Sequence, residues 1–596
     1  MSTFLDDLNE RQQMVVRHSD GPVLVLAGAG SGKTRCITYR VGFLVAEKLV
    51  DPNRILLLTF TNKAAGEMKE RVMKLVGREL PTGGTFHSLC ARILRKEGKA
   101  IGLGPNYMIY DEDDQQDTVK EAMSRVGISV KDVKPRAILN AISEAKNELL
   151  GATEYPQHAR GAWQETVAKV YLVYQQLLRE ADAVDFDDLL MKTVQLLQRF
   201  PDTLALYQNQ WQYVLVDEYQ DTNQAQFVLT KLLTGRWHNV CCVGDFSQSI
   251  YRWRGADFRN LERLKETFPD LTTYRLEQNY RSTQTILDAA HSVIGHNTGH
   301  PILSLWTETG KGQQVGLYEA LSEKDEGRFI VDTIKNSQLS DYAVLYRTNA
   351  QSRAIEEAMI AAGMAYVLVG GTRFYQRKEI KDCLAYLRVL VNPKDSASYK
   401  RIEKLGKTRF RKFTEFSEKL KIDNGKLIMT TGELLERVLK ETAYLEQFDE
   451  EDEDDLARLE NIKELKSVAE EFPDIILFLE NVALVEQGPK SDKQDAVTLM
   501  TLHAAKGLEF KVVFLVGMEE GLFPHSRALL SKDELEEERR LAYVGITRAK
   551  EKLYLSFARQ RLYFGTRTSN MISRFVGEIP EHLLEPVFGN VRIDVW

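Results

Sequence analysis

The apolar run Val23-Leu24-Val25-Leu26 breaks into AGAGSGKT at Ala27–Thr34, and this break restricts the fold more tightly than any other stretch of the chain. Four consecutive apolar residues ahead of a glycine-rich turn read as a fully buried strand. Behind the turn, Ile37, Val41, Leu44, Val45 and Leu49 recur at helical spacing. A strand passing through glycines into a helix makes a cradle for phosphate. Gly28, Gly30 and Gly32 let backbone N–H groups turn inward around the anion, and the helix aims its positive end at it. Ala27, Ala29 and Ser31 fill the remaining loop positions, with Ala27 standing where the general pattern has glycine. Lys33 can reach the terminal phosphates of a nucleoside triphosphate such as ATP, and Thr34 offers a hydroxyl to Mg2+. A glycine turn without function would leave the strand, the Lys-Thr pair and the helix a coincidence.

The other half of such a site is also readable. Magnesium needs an acid at the end of a neighbouring strand, and Tyr213-Val214-Leu215-Val216 leads into Asp217-Glu218-Tyr219-Gln220-Asp221. Asp217 is placed to hold the metal, directly or through water, and Glu218 to accept a proton from an attacking water. An exposed acidic turn behind a strand is the plainer alternative; the phosphate loop argues against it. Gly244-Asp245-Phe246-Ser247-Gln248-Ser249 follows a third strand, where the Gln248 amide suits sensing a phosphate or orienting a water. Hydrolysis also needs a cation on the developing charge, and Arg35, Arg281 and Arg548 compete for that role.

A chain of 596 residues, 43% hydrophobic and 28% charged, divides by length into roughly three to five domains. The N-terminus MSTFLDDLNE lacks the apolar core of a secretory signal, and no apolar run approaches the roughly 20 residues that span a bilayer. The five cysteines are scattered without a CxxC pair, against a disulfide framework or an iron–sulfur site. A cytoplasmic protein without a membrane partner is therefore expected, nucleoid-associated if the cell is prokaryotic. A formal net charge of -7 gives no bulk attraction to nucleic acid, so any such partner must be held by a local basic and aromatic track. His291, His296 and His300 match no metal-ligand spacing and read as solvated loop histidines.

Strand candidates followed by helical stretches recur in two blocks: Val23–Leu26, Ile55–Phe60, Tyr213–Val216, Val240–Val243 and Thr272–Leu276, then Val315–Tyr318, Ala343–Tyr346, Tyr366–Val369, Val512–Val516 and Leu553–Phe557. The alternation predicts an α/β chain with two parallel-sheet domains. Regions of about 90 to 182 and 395 to 490 lack strand signals and read as helical insertions, one in each sheet domain. The predicted division is 1–89, 90–182 and 183–279 for the first domain and its insertion, then 280–394, 395–491 and 492–596 for the second with a C-terminal tail. The acidic run Asp449–Asp455 reads as a solvated turn between helices, and the second insertion ends in the polar stretch Gln487–Asp495.

Taken together these segments resemble the UvrD/PcrA/Rep group of superfamily 1 DNA helicases, over most of the chain. Leu8–Gln12 resembles the Q motif, Ala27–Thr34 motif I and Thr59–Ala65 motif Ia. Gly84–Ser88 and Asp185–Leu190 look like the next segments of the first motor domain, Asp217–Asn223 like motif II and Gly244–Asp257 like motif III. Glu277–Thr283 resembles motif IV, Leu345–Asn349 the segment after it, Thr501–Phe510 motif V and Glu536–Ala549 motif VI. The resemblance implies two RecA-like motor domains, with ATP hydrolysed in the cleft between them to drive 3′→5′ stepping along single-stranded DNA. It further implies that Gln12 reads adenine, Tyr280 stacks on it, Glu509 holds the ribose, and Arg281 and Arg548 contact the γ-phosphate. Arg35 remains open between base and phosphates.

Phe60, Phe86, Phe186, Tyr251 and Trp253 sit inside or beside these motifs, where aromatics can stack successive bases largely regardless of sequence. Arg252 and Arg254 flank Trp253, which suits backbone charge beside a base platform. An aromatic at a strand end is more often core; the resemblance favours the platform for Phe60, Tyr251 and Trp253, and leaves both readings for Phe86 and Phe186. His87, Arg347, Asn349 and His503 resemble the family's DNA backbone contacts.

The chain departs from its relatives in a shorter second insertion and in lacking the later tail of many members. After Asn392-Pro393, RIEKLGKTRF at Arg401–Phe410 is either a reduced helix–hairpin–helix turn around Gly406, Lys407 and Arg409 or a plain basic helix cap. In motif III, Phe246-Ser247 replaces two acids and Arg252 a glycine, with Gln248, Trp253 and Arg254 retained. The leading reading is a translocase and helicase working on single strands and single–double strand junctions in DNA repair or replication, alongside proteins of those processes. A translocase that mainly strips proteins from single strands is the first alternative. A DNA-binding subunit with an idle ATP site is the second, and it predicts damage at Lys33, Glu218 or Arg548 that the sequence does not show. A nuclease fusion finds too little chain after the last motif.

Overall fold

Four of the apolar runs fold as strands buried on both faces, which requires helices above and below a parallel sheet. The computed structural model describes residues 4–587 except 336, 421, 424, 425, 428, 451, 487–494 and 564–565. Of the polar stretch Gln487–Asp495 all but Asp495 therefore lies outside the described residues, as does the tail after Val587. The chain forms two compact units, Met1–Tyr280 with Thr298–Glu308, and Arg281–Asn297 with Thr309–Trp596.

The first unit holds a six-stranded sheet in the order Gly83–Thr85, Ile55–Thr59, Tyr213–Val216, Val240–Gly244, Val23–Ala27, Thr272–Leu276, every pairing parallel. Side chains alternate across it. Leu24, Leu26, Leu56, Leu58, Val214 and Val216 enter one core, while Val23, Val25, Ile55, Leu57, Tyr213 and Leu215 enter the opposite one. Helices Glu112–Arg125, Pro135–Asn147 and Ala162–Glu180 build the predicted helical lobe around Val119, Met123, Ile138, Ile142, Tyr171 and Tyr174. A buried knot fastens this lobe to the sheet domain: Lys146 Nζ donates to Asp185 Oδ2 at 2.5 Å and pairs with Asp188 Oδ1 at 3.1 Å, and the Tyr174 hydroxyl donates to the same Asp185 oxygen. The segment Asp185–Leu190 is thus first of all a structural anchor.

The second unit has a seven-stranded parallel sheet in the order Tyr366–Val369, Val497–Thr501, Tyr342–Tyr346, Phe510–Leu515, Ala549–Ala558, Val315–Ala320, Leu584–Pro586. Its helical lobe starts earlier than the predicted residue 395. Phe374, Ile380, Leu384 and Leu387 share a core with Leu434, Val438, Leu465 and Phe478, so helix Lys378–Val391 is part of the lobe. Gly406, at φ +115°, separates helices Ser396–Lys404 and Lys407–Lys419. Arg409 folds back so that one guanidinium N–H donates to the Leu405 carbonyl at 3.2 Å.

Two surface expectations are corrected. His300 is not solvated: it is buried and stacks on Phe246 with ring centroids 6.0 Å apart, because Thr298–Glu308 packs into the first unit. His291 and His296 are exposed. Within the acidic run, Asp449, Asp452 and Asp455 are buried, since Asp452 caps helix Glu453–Glu471 and Asp455 accepts from the Asp449 N–H. Among the described residues no helix is long and apolar enough to cross a membrane, and no cluster of His, Cys, Asp and Glu has metal-binding geometry.

Candidate functional site

The carboxyl ends of adjacent strands in the first unit bring the predicted residues together, as parallel sheets do. Ala27 opens the phosphate loop, Asp217 follows Val216, and Asp245 follows Gly244. Gly30 and Gly32 adopt φ +66° and +83°, a left-handed turn that lets the loop close before helix Lys33–Ala46. Lys33 is 9% exposed, and its ammonium lies 3.6 Å from Glu218 Oε2 without a hydrogen-bond partner among the described residues. A buried cation aimed into a glycine-rich loop and left without an acceptor fits a phosphate.

Thr34 Oγ1 donates to Asp217 Oδ2 at 3.2 Å. This pair of hard oxygens is the donor set that magnesium takes alongside phosphate oxygens. Burial, then the Glu218 charge, pushes the Asp217 carboxyl up to about 7, against the pull of Lys33, the Glu218 N–H and Thr34. A divalent cation would reverse that shift. The sign of the linkage follows. The folded state holds the Asp217 proton more tightly than the unfolded chain, so its stabilising effect is full below the ordinary aspartate value of 3.8 and is lost as pH rises through about 7. Asp217→Asn is expected to raise the melting temperature of the metal- and nucleotide-free protein above that pH. The gain should shrink steadily below it, while magnesium-dependent turnover is lost at every pH. Thermal melts on either side of neutrality check the first outcome, and a phosphate-release assay the second.

Glu218 sits at φ +53°, an uncommon conformation for a residue with a Cβ. Gln220, to which the sequence reading assigned no role, holds it there: its Nε2 donates to Glu218 Oε2 at 2.5 Å, and its Oε1 accepts from the Asp245 N–H at 3.0 Å. Gly244 permits that bridge, because a Cβ there would lie 2.8 Å from Gln220 Oε1. Asp245 in turn fixes Gln248, whose amide donates to Asp245 Oδ2 at 2.6 Å. The acid and the amide predicted to face the γ-phosphate are therefore linked through Gln220 and Asp245.

On the base side, Asn9 and Gln12 form a capping box, and Gln12 Nε2 also donates to the Ser31 carbonyl at 2.9 Å. The amide expected to read adenine is thus held by the phosphate loop itself. Tyr280 is 51% exposed; Asn9 Nδ2 donates to its hydroxyl at 2.6 Å, and that hydroxyl donates to Gln278 Oε1. The Tyr280 N–H donates to the Gly30 carbonyl, and Asn279 Nδ2 to that of Ala29, so the segment is stitched to the loop. Arg35 is exposed, with its guanidinium over the Tyr39 ring.

In the second unit Glu509 pairs with the predicted Arg281 and with Lys550, to which the sequence assigned no role. Arg281 Nε donates to Glu509 Oε2 at 2.7 Å, and Lys550 Nζ lies 2.7 Å from Glu509 Oε1. Although burial opposes it, Lys550 and Arg281 together hold the Glu509 carboxyl below its ordinary range. Arg548 is buried, donating to the carbonyls of Val544 and Leu508 and to Thr547 Oγ1. Arg281 donates to the Thr547 carbonyl, so both arginines are held against the same helix end.

For the expected DNA track, Phe60 and Tyr251 stack with centroids 5.5 Å apart and planes within 12°. Trp253 is 43% exposed with the Arg254 guanidinium 4.3 Å from its ring centroid. Phe186 is 50% exposed and edge-on to His87. Phe86 offers no stacking face: it is 3% exposed within the core beside Leu89 and Leu190, because it starts the helix that packs on that side of the sheet. In the second unit Arg347 is committed to Glu538 at 2.9 Å, whose other oxygen accepts from the His525 N–H. Asn349 and His503 are half-buried, and the Asn349 carbonyl accepts from Arg377.

The chain resembles known proteins over most of its length. Residues 8–269 match the UvrD/REP helicase N-terminal domain, and residues 274–430 and 410–560 match the UvrD-like helicase C-terminal domain. The chain is 44% identical over 655 residues to the ATP-dependent DNA helicase PcrA of Leuconostoc citreum, across 100% of this chain and 87% of that protein. It is 43% identical to the protein of the same name from Staphylococcus aureus over 640 residues, 98% of this chain and 88% of the relative. The Staphylococcus epidermidis protein is 42% identical over 651 residues, 100% and 89% of the two chains.

Proposed function

The chain belongs to the UvrD-like helicase family, and from that premise we propose that it is an ATP-dependent 3′→5′ translocase on single-stranded DNA that unwinds duplex at single–double strand junctions in repair or replication. The observation that carries the ATP half of this reading is the cluster of Lys33, Thr34, Asp217 and Glu218 at adjoining strand ends, with Lys33 lacking an acceptor. Lys33 neutralises the terminal phosphates, Glu218 takes the proton of the attacking water, and Gln248 positions that water or senses the phosphate. Magnesium held by Thr34 and Asp217 would neutralise charge between the terminal phosphate oxygens. Arg281 and Arg548, supplied by the second unit, stabilise the charge that develops in transfer. A nucleotide engaged by both units links hydrolysis to a two-state change between them.

The DNA half is supported by the Phe60–Tyr251 stack and the exposed Trp253 under Arg254. Strand displacement on partial duplexes with a 3′ or a 5′ single-stranded tail tests the polarity: the 3′-tailed substrate is expected to be unwound and the 5′-tailed one not. Trp253→Ala should preserve ATP binding and a substantial share of DNA-stimulated turnover while unwinding falls about tenfold or more, as the loss of one base-stacking contact implies. Equal unwinding of both tails, or turnover indifferent to single-stranded DNA, overturns the reading.

A further inference from the structure

The last turn of helix Pro135–Asn147 is where the first helical lobe meets the sheet domain, and its polar residues serve different partners. Lys146 is spent on Asp185 and Asp188. Asn147, the next residue, turns elsewhere. Its Oδ1 accepts from Asn223 Nδ2 at 2.6 Å, and its own Nδ2 donates to the Ser143 hydroxyl at 3.4 Å. Asn223 ends the segment that begins with Asp217 and Glu218, and its Oδ1 caps helix Gln224–Thr234 by accepting from the Gln226 N–H.

On its other side Asn147 meets the turn that carries Trp253 and Arg254. Gly255 closes that turn at φ +81°, its N–H donating to the Arg252 carbonyl. A Cβ on Gly255 would lie 3.3 Å from Asn147 Nδ2. Glycine is therefore needed twice over, for the left-handed backbone and for the amide lying against it. One side chain of the helical lobe thus touches the end of the acid segment and the end of the turn under Trp253.

A second link joins these two segments without Asn147. The Thr222 carbonyl accepts from the Asp257 N–H at 3.0 Å and from Asn260 Nδ2 at 2.8 Å. The fold here does not depend on Asn147, which adds a fixed spacing between Gly255 and Asn223. Asn223 is buried, so its amide has no ready substitute for the Asn147 acceptor. From Asn223 back to Glu218 the chain is one short buried turn, Tyr219–Asp221, and it contains the Gln220 amide that holds the Glu218 carboxylate. A shift at Asn223 has little slack to absorb it before it reaches that acid.

We propose that Asn147 is a positioning residue for DNA-stimulated hydrolysis. It carries the seating of single-stranded DNA on the Tyr251–Arg254 turn, where Trp253 is one contact of several, to Glu218 through Gly255, Asn223 and the Tyr219–Asp221 turn. This role rests on the reading of the chain as a DNA-dependent ATPase, and it gives the helical lobe a part in turnover that the sequence motifs do not contain.

The test is steady-state ATP turnover of the full chain against the concentration of a single-stranded oligonucleotide. In Asn147→Ala the DNA-saturated kcat is expected to fall about tenfold, the scale on which leaving a buried amide without its acceptor acts. DNA-free turnover, the KM for ATP and the oligonucleotide concentration for half-maximal stimulation should stay within about twofold, since no group that touches nucleotide or DNA has changed. Asn147→Asp and Asn223→Asp isolate the contact itself. Each keeps one amide to donate to the other side chain's oxygen and should retain stimulation to within about threefold. The double variant sets two acceptors face to face and should lose stimulation as Asn147→Ala does. Undiminished stimulation in Asn147→Ala, or a double variant no worse than the single ones, overturns the proposal. So does a fall in DNA-free turnover and melting temperature that matches the fall in the DNA-saturated rate, because Asn147 is then only structural. If the parent is itself indifferent to single-stranded DNA, the DNA-dependent reading fails; if the parent is stimulated and Asn147→Ala equally so, this inference alone fails.

Discussion

Lys33→Ala is expected to reduce ATP turnover by at least about 10³-fold while leaving the protein as stable as its parent, or more so. The two outcomes have one cause. Lys33 is buried without a hydrogen-bond acceptor and is 3.6 Å from Glu218, so in the nucleotide-free protein its charge is costly rather than stabilising. Removing it leaves Glu218 its hydrogen bond from Gln220. The same charge becomes favourable once a triphosphate supplies the missing acceptors. A phosphate-release assay beside thermal melting checks both halves. Turnover within tenfold of the parent, or a large fall in melting temperature with turnover retained, assigns Lys33 a structural role instead.

Arg281→Ala carries the second large effect, a loss of roughly 10³- to 10⁵-fold in turnover, the range of an arginine that stabilises phosphoryl transfer from a separate element. ATP binding to the first unit should weaken far less, since Lys33, Thr34, Gln12 and Tyr280 are all untouched. The second unit should stay folded, because Lys550 still pairs with Glu509 and Arg548 keeps its own carbonyl acceptors. Arg281→Lys should fall between the two, as an ammonium keeps the charge and loses the planar fork. Steady-state turnover together with analogue binding separates these expectations. A variant that loses binding and turnover in parallel would place Arg281 in ground-state affinity rather than in the chemical step.

What could be read in advance follows from how local each signal is. Val23–Ala27 and Tyr213–Val216 are continuous apolar runs that can only be buried strands, and the residues after them sit where parallel sheets place their sites. Gly83–Thr85 has no apolar side chain; it is a strand only because Ile55–Thr59 offers it a ladder. Val497–Thr501 and Leu584–Pro586 likewise declare themselves through their partners in the sheet. Helix Lys378–Val391 is apolar around most of its circumference, and the side chains that claim it for the helical lobe come both from the helices just after it, at Ile402, Phe413 and Phe416, and from positions 434 to 482, which no local pattern reaches. At the site, Lys33, Thr34 and Asp217 could be named from spacing. Gln220 could not, because its function is a bridge from Glu218 to the backbone of Asp245. Phe86 was open to two readings for the same reason: an aromatic at a strand end looks alike whether it faces solvent or the Leu190 side of the core.

The central proposal is that one nucleotide is served by groups from both units, and a double-mutant cycle on turnover tests it most directly. Glu218→Gln in the first unit and Arg281→Lys in the second are each expected to leave measurable activity, so the double variant can be placed against the product of the single losses. Groups acting on one transition state are strongly non-additive, and the double variant is predicted to lose little more than the worse of the two single variants. Losses that simply multiply would mean that Glu218 and Arg281 act at independent places, contradicting the shared site.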